Sequence, residues 1–492
     1  MSRSDAPRFS IMEIDCREWP FTLRLPFRFG VATMREGRQA VVRLRIRLSD
    51  GRESWGFAAE TLAAKWFEKD ARLSDAENVD QLRASLEIAS RLYRAERART
   101  AFLHFAETYE AQLAEAAALG LNPLIAGFGP ALLDRAALDA LCRLEGLSFA
   151  AAVRCNLPGL VPHKVLPDLS GIDFAAFLVG LRPGAAIALR HTVGLLDPIT
   201  ASDIVRGERV VDGLPQTLEE VLAFYRPRYF KLKLGGQIEA DIDRLERIAA
   251  LLDGAGAAYH ATLDGNEQYS EAAEFAAAWQ EIARRPALAR LCRAILYIEQ
   301  PIKRAHALDR AIGALFPRPV IIDESDDTLS AFPRARAQGY SGTSSKTCKG
   351  FYKSLVNLIR CRVWNSQETR EHYFLSGEDL TTLAGLATQQ DLALVSLLGL
   401  AHVERNGHHY VDGFTGRPVA EAQAFLNAHP DLYHLESGKV RLRVRGGDFA
   451  LGSLACSGFG SGALPDFATM SLMPISRWRP PASELAADWL RH

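Results

Sequence analysis

From Ala186 onward the chain keeps one rhythm: a short apolar run, a helical stretch, then another run. The runs are "AIALRHTVG", "YFKLKLGG", "AYHATLDGN", "AILYIEQP", "PVIIDES", "SGTSSK" and "HYFLSG", with a weaker eighth at "LAHVERNG". Segments such as "IEADIDRLERIAALLD", "SEAAEFAAAWQEIARR" and "GFYKSLVNLIRCRVW" lie between them and read as helices. Strands separated by helices pair in parallel, because each crossover returns the chain to the same edge. About eight such units close into a barrel. Residues 186–434 are therefore expected to form an α/β barrel.

The rest of the chain has another texture. Residues 1–156 read as α+β. "FSIMEIDCREWPFTL" and "AVVRLRIRLSDGRESWGFAAE" alternate like strands, and "LSDGRE" turns the second run into "SWGF". From about Asp75 to Leu119 the composition is helical, and "PALLDRAALDALCRLEGLS" predicts an amphipathic helix ending at Gly146. Residues 157–185 are rich in Pro and Gly and read as a linker or insertion. Residues 435–492 return to β and Gly-rich texture, which suits pairing with the N-terminal sheet.

Composition narrows the function classes. Hydrophobic residues make up 48%, charged residues 24%, and the formal net charge is -1. No basic surplus argues for nucleic acid, and no acidic block argues for disorder. The seven cysteines are odd in number and form no CxxC pair, so a reducing cytoplasm is expected rather than a disulfide framework or zinc site. No stretch reaches the roughly 18 apolar residues of a membrane span. The expected partner is a small molecule, with the chain itself as a homo-oligomer.

The barrel runs share a second feature: their C-terminal ends are charged. Lys231 and Lys233 close the second run, Asp264 and Asn266 the third, and Glu299 the fourth. Asp323 and Glu324 close the fifth, and Lys346 the sixth. Alternation puts Lys231 and Lys233 on one face. In a parallel barrel these ends share one rim, where active sites form. Any single acid there reads equally well as a helix cap. Three in succession would repel one another unless neutralised, and a hard cation neutralises them. All-oxygen donors favour Mg²⁺, with Mn²⁺ as the alternative. Lysines on two sides can then carry protons, with pKa values lowered by the metal and by each other. Such a layout suits removal of a proton beside a carboxylate.

In the order "KLK", "LDGN", "IEQP", "IDES" and "SSKTCK", the chain resembles the enolase superfamily, also called the mandelate racemase/muconate lactonising enzyme family. The resemblance implies a modified (β/α)₇β barrel under an α+β capping domain, the latter built from the N-terminal part and the C-terminal tail. "PFRFGVATMREG" and "ESWGFAAE" match the two substrate-facing loops of that cap. It implies Asp264, Glu299 and Asp323 as metal ligands; on the residues alone, Asp323 and Glu324 both stay open for the third. It implies Lys233 and Lys346 as the acid/base pair, Lys231 as support for Lys233, and Asn266 and Glu324 around the ligands. The sixth-strand lysine places the chain nearest the muconate-lactonising subgroup. Subgroups with a seventh-strand histidine fit less well, since His372 stands at the start of its run. "WGF" replaces the more usual "WGE", with Glu60 displaced, and the Asp264–Glu299 gap is long.

The implied activity is that of an isomerase or lyase. It abstracts the proton α to a substrate carboxylate and gives racemisation or epimerisation, cycloisomerisation or β-elimination. An acid-sugar dehydratase on the same metal site is the alternative within enzymes. A non-catalytic barrel-fold binding protein is the alternative outside them. Arg28, Trp66 and Glu378 are weaker candidates for substrate contact; Lys65, Phe67 and Asp379 lie nearby in sequence. Lys349 and Lys353 are expected to be solvated helix residues, Cys348 an unreactive helix-start residue, and His402, Glu404, His408 and His409 part of a surface loop.

Overall fold

The computed structural model describes residues 6–29, 32–94, 97–312 and 315–480. Strands β1 (Phe9–Phe29), β2 (Ala32–Leu48) and β3 (Glu53–Thr61) pair antiparallel in sequence order. Five helices follow: α1 (Ala64–Phe67), α2 (Asp75–Tyr93), α3 (Ala101–Ala118), α4 (Pro123–Ala126) and α5 (Phe128–Leu144). The starts of α2 and α3 are set by side chains. Ser74 and Glu77 form a capping box, and Thr100 accepts from Leu103 N.

Helix α5 differs from the sequence expectation. It is not amphipathic in its packing: every residue from Phe128 to Cys142 is buried. One side lies on β2 and β3, and the other meets the barrel's rim segments. Its polar residues are matched one by one. Asp134 accepts from Tyr93 Oη at 2.8 Å, Asp139 from Phe57 N at 3.0 Å, and Arg135 pairs with Glu60 at 2.9 Å. The Gly56 of "WGF" allows the approach, since a Cβ there would stand 2.0 Å from Ala136 O.

The barrel is closed. Strands β4 (Ala186–Val193), β5 (Tyr229–Lys233), β6 (His260–Asp264), β7 (Ile295–Glu299), β8 (Val320–Ile322), β9 (Gly342–Ser345), β10 (Phe374–Gly377) and β11 (His402–Arg405) pair in parallel, and β11 pairs back onto β4. This is a modified TIM barrel with a capping domain. After the hairpin of β12 (Tyr433–Glu436) and β13 (Lys439–Leu442), β14 (Asp448–Ala450) pairs with the first residues of β4. Then β15 (Ser471–Leu472) pairs with Arg17 and Glu18 of β1, so the tail touches barrel first and sheet second.

Residues 157–185 contain the turn Pro167–Leu169 and the helix Phe174–Val179, with Leu157, Leu166, Phe174 and Leu178 buried. Asp168 receives two hydrogen bonds from Arg360, at 2.8 and 2.9 Å. Among the described residues, no helix is long and apolar enough to cross a membrane.

Candidate active site

Strand register sets the height of each functional group. Lys233 lies opposite Asp264, and Asp264 opposite Glu299, so the ends of β5, β6 and β7 are level. Lys231 and Lys233 share the inward face, as alternation requires. Lys233 Nζ is 2.6 Å from Asp264 Oδ2.

Lys231 sits lower and at the centre. Its Nζ is 2.9 Å from Asp264 Oδ2, 2.7 Å from Glu299 Oε2, 2.9 Å from Glu378 Oε2 and 3.0 Å from Glu404 Oε2. Burial would lower its pKa, but Asp264, Glu299, Glu378 and Glu404 outweigh that and raise it well above the usual lysine value. Burial, with Asp264 and Glu378 close by, pushes Glu299 well up despite Lys231. Burial pushes Glu404 the same way, but Lys231, Lys233 and Lys346 overcome it and hold the carboxyl well down.

Across the barrel, Lys346 follows β9. Its Nζ is 2.6 Å from Asp323 Oδ2 and 4.2 Å from the ring centre of Trp66, a cation–π distance. Burial acts to lower this lysine, and Asp323 raises it above its ordinary value instead. Lys346 and Lys231 are thus both raised, each with its ammonium within 3.0 Å of a carboxylate. Asp323 is held well below the carboxylate range, since Lys346 and Lys349 overcome its burial.

Asp323 and Glu324, adjacent in sequence, face different ways. Asp323 points to Lys346, whereas Glu324 receives Lys69 Nζ at 3.2 Å and Asn266 Nδ2 at 3.5 Å. Burial raises Glu324. The backbone around these acids is strained. Asn266, Glu267 and Gln300 have φ of 42°, 64° and 33°, left-handed values that cost a non-glycine residue about 1–3 kcal/mol. Gln300 is held by its own amide, whose Oε1 accepts from Asp323 N at 2.8 Å and from Ser325 N at 3.1 Å. That amide fixes the main chain at Asp323.

Lys231, Lys233, Asn266, Asp323, Lys346 and Trp66 line one cavity of about 30 Å³, with Phe27, Met34 and Ala63 of the cap and Asp379, Glu404 and Asn406 of the barrel. Asp264, Glu299 and Glu324 are buried below its surface. A cap cavity of about 930 Å³ shares Met34 and Ala63 with it. Glu378 does not line the cavity. It is fully buried, receiving Lys231, Arg190, Ser376 and Tyr297, so its oxygens are turned into the barrel. Arg28 is exposed on β1 and is not a lining residue.

Other expectations are corrected. Lys349 and Lys353 are buried, not solvated, because helix Phe351–Asn365 packs between the barrel and cap helices α3 and α5. The histidines after β11 are also inside: His408 and His409 are buried and pulled down by desolvation, and Glu404 faces Lys231. Cys348, expected to be unreactive, is buried, and burial pushes its thiol well up. Glu404 was readable as a strand-end acid like the other three, but its neighbouring histidines suggested a loop.

The donors suit a hard cation in kind. Asp264, Glu299 and Asp323 supply only oxygen, and the buried oxygens Glu324 Oε2 and Asn266 Oδ1 beside them accept no hydrogen bond. As arranged, no three acid, histidine or cysteine groups among the described residues are close enough to hold an ion, since lysines occupy the space between them.

No protein-family model and no curated protein matches the chain. Solved structures do. A dipeptide epimerase from Enterococcus faecalis V583, complexed with Mg and L-Leu-L-Tyr, is 15% identical over 92% of this chain and 99% of its own, with a TM-score of 0.58. A muconate lactonizing enzyme from Pseudomonas fluorescens, complexed with muconolactone, is 19% identical over 94% and 98%, with a TM-score of 0.56. A 2-chloromuconate cycloisomerase from Rhodococcus opacus 1CP is 16% identical over 94% and 97%, with a TM-score of 0.56. The chain therefore has the fold of these epimerases and cycloisomerases.

Proposed function

We propose that the chain is an isomerase or lyase of the enolase superfamily, nearest the muconate-lactonising subgroup, and that it removes the proton α to a carboxylate. One observation carries the reading. Lys233 and Lys346 come from β5 and from the end of β9, four strands apart in a barrel of eight, and line the same cavity. Strands so spaced are diametrically opposed, so the two ammonium groups address a substrate from opposite sides.

The residues divide the work. Lys231, fixed by four carboxylates and protonated at neutral pH, offers a permanent positive charge to the substrate carboxylate. Lys233 takes the α-proton, and Lys346, protonated beside Asp323, returns one on the other face or assists a leaving group. Trp66, Phe27 and Met34 close the cavity above and keep water out. Asp264, Glu299 and Asp323 would hold Mg²⁺, which when bound supplies the charge that makes an enolate accessible. The dipeptide and muconolactone complexes of the structural neighbours support a small carboxylate as substrate, and the Mg complex supports the metal.

The test is α-proton exchange into D₂O across a panel of dipeptides, N-acylamino acids, lactones and acid sugars. Lys233→Ala should lower exchange by roughly 10²–10⁴-fold while Mg²⁺ still binds. Exchange at the wild-type rate in that variant would remove Lys233 from its role.

A further inference from the structure

Behind the cavity, lysines and aspartates alternate in a buried ladder. Lys346 meets Asp323 Oδ2 at 2.6 Å. Lys349 Nζ lies 3.5 Å from Asp323 Oδ1, 3.1 Å from Asp323 O and 3.2 Å from Asp326 Oδ2. Lys353 Nζ donates to Asp326 O and stands 3.4 Å from Asp326 Oδ2. All five residues are at least nine-tenths buried. The ladder ends at a second cavity, about 40 Å³, between the barrel and the cap helices α3 and α5.

The contacts are specific in a way that bulk neutralisation does not need. Ser344 Oγ donates to Asp323 Oδ1 and receives Lys349 Nζ at 2.7 Å. One oxygen of Asp323 is thus clamped from behind, and the other is left facing Lys346 and the cavity. Lys349 reaches this position because it closes the short turn Thr347–Lys349, ended by Gly350 at φ 95°. Continued helix would have carried the ammonium elsewhere.

We propose that Lys349 is a positioning residue: it orients Asp323 toward Lys346 and toward the metal, and Lys353 braces it through Asp326. The proposal rests on the reading of Asp323 and Lys346 given above. It concerns orientation rather than proton transfer, since Lys349 lines the rear cavity and not the one that holds Lys346.

The experiment compares wild type, Lys349→Met, Lys349→Arg and Lys353→Met in three assays: Mg²⁺ affinity by calorimetry, kcat and KM of α-proton exchange, and thermal unfolding. Lys349→Met should weaken Mg²⁺ by roughly 10–100-fold and lower kcat by a similar factor with KM little changed. Lys349→Arg should recover part of both, and Lys353→Met should move both in the same direction by a few-fold. Should Lys349→Met not fold, Ser344→Ala removes the clamp at Asp323 with a smaller change and should show the same two losses. A folded Lys349→Met or Ser344→Ala with Mg²⁺ affinity and kcat within twofold of wild type overturns the proposal, whatever its melting temperature. Wild-type protein that neither binds Mg²⁺ nor exchanges a proton overturns the parent reading as well, so the two failures are distinct.

Discussion

Two lysine pairs face each other across the barrel, and each pair shares one aspartate. On the β5 side Lys231 and Lys233 meet Asp264 at 2.9 and 2.6 Å. On the β9 side Lys349 and Lys346 meet Asp323 at 3.5 and 2.6 Å. Lys233 and Lys346, the front lysines, line the cavity together with Lys231, while Lys231 and Lys349 are each held by further acids. They differ in how the holding lysine gets there. Lys231 is two residues before Lys233 on one strand and stands in the middle of four carboxylates. Lys349 is three residues after Lys346, beyond a turn, and stands behind the wall. The comparison teaches that one electrostatic arrangement, a carboxylate between two ammonium groups, can be built from strand alternation or from a tight turn.

Substituting the front lysines should have the largest effect. Lys346→Ala and Lys233→Ala should each lower exchange by roughly 10²–10⁴-fold, and the double variant should be little worse than either, because the two act in one reaction. Exchange surviving in only one of the single variants, measured with substrates of both configurations, would show that the pairs are not equivalent in chemistry.

The holding lysines should differ in stability. Lys231→Met leaves four carboxylates converging on an apolar side chain, and breaking a buried ion pair from one side costs about 3–5 kcal/mol. Lys349→Met leaves Asp323 with Lys346 and Asp326 with Lys353, so its loss in urea denaturation should be smaller. Equal losses would erase the distinction between a central and a peripheral ammonium.

A pH scan sharpens the same contrast. Lys231 has a folded pKa above its unfolded one, so its stabilisation is fully present below about pH 10.4 and is lost only as pH rises through the folded value. It contributes no slope between pH 4 and 7. His408, four residues past Glu404, is pulled down to about 3 by burial and by Arg405. Its ring stays neutral in the fold, while the unfolded chain takes up a proton below about pH 6.5. Its stabilisation is present above that value and is lost as pH falls towards about 3, at up to about 1.4 kcal/mol per pH unit. His408→Phe should flatten part of the acid slope of the melting temperature, leaving the share of the other histidines that burial pulls down, among them His191, His104, His409 and His429. An unchanged slope would mean that His408 is solvated.

The same contrast marks what was legible in the sequence. The barrel was readable because β5 to β9 repeat a local pattern, apolar run then charged end, that any parallel barrel must show. The facing of Lys231 and Lys233 followed from a period of two. Lys349 and Lys353 were misread as solvated because nothing within a few residues says that helix Phe351–Asn365 lies beneath α3 and α5. The histidines after β11 failed for the same reason: polarity suggested a surface, but neighbours far along the chain cover them. Helix α5 carries Asp134, Arg135 and Asp139 as an exposed helix would. Their partners Tyr93, Glu60 and Phe57 N come from α2 and β3, which no local window contains.

Those partners have a mechanical consequence. Glu60 joins Arg135 of α5 to Thr347 of the turn after β9, whose Oγ1 donates to Glu60 at 3.1 Å. Gln390 Nε2 reaches back to Phe57 O at 2.7 Å, and Thr61 Oγ1 to Thr381 O at 3.2 Å. Separating cap from barrel would strand a buried Arg135, Glu60 and Gln390 at once, so neither part can open without the other. The two should melt in a single cooperative step, with amide protons of α5 as slow to exchange as those of β9, and two resolved transitions in calorimetry would show otherwise.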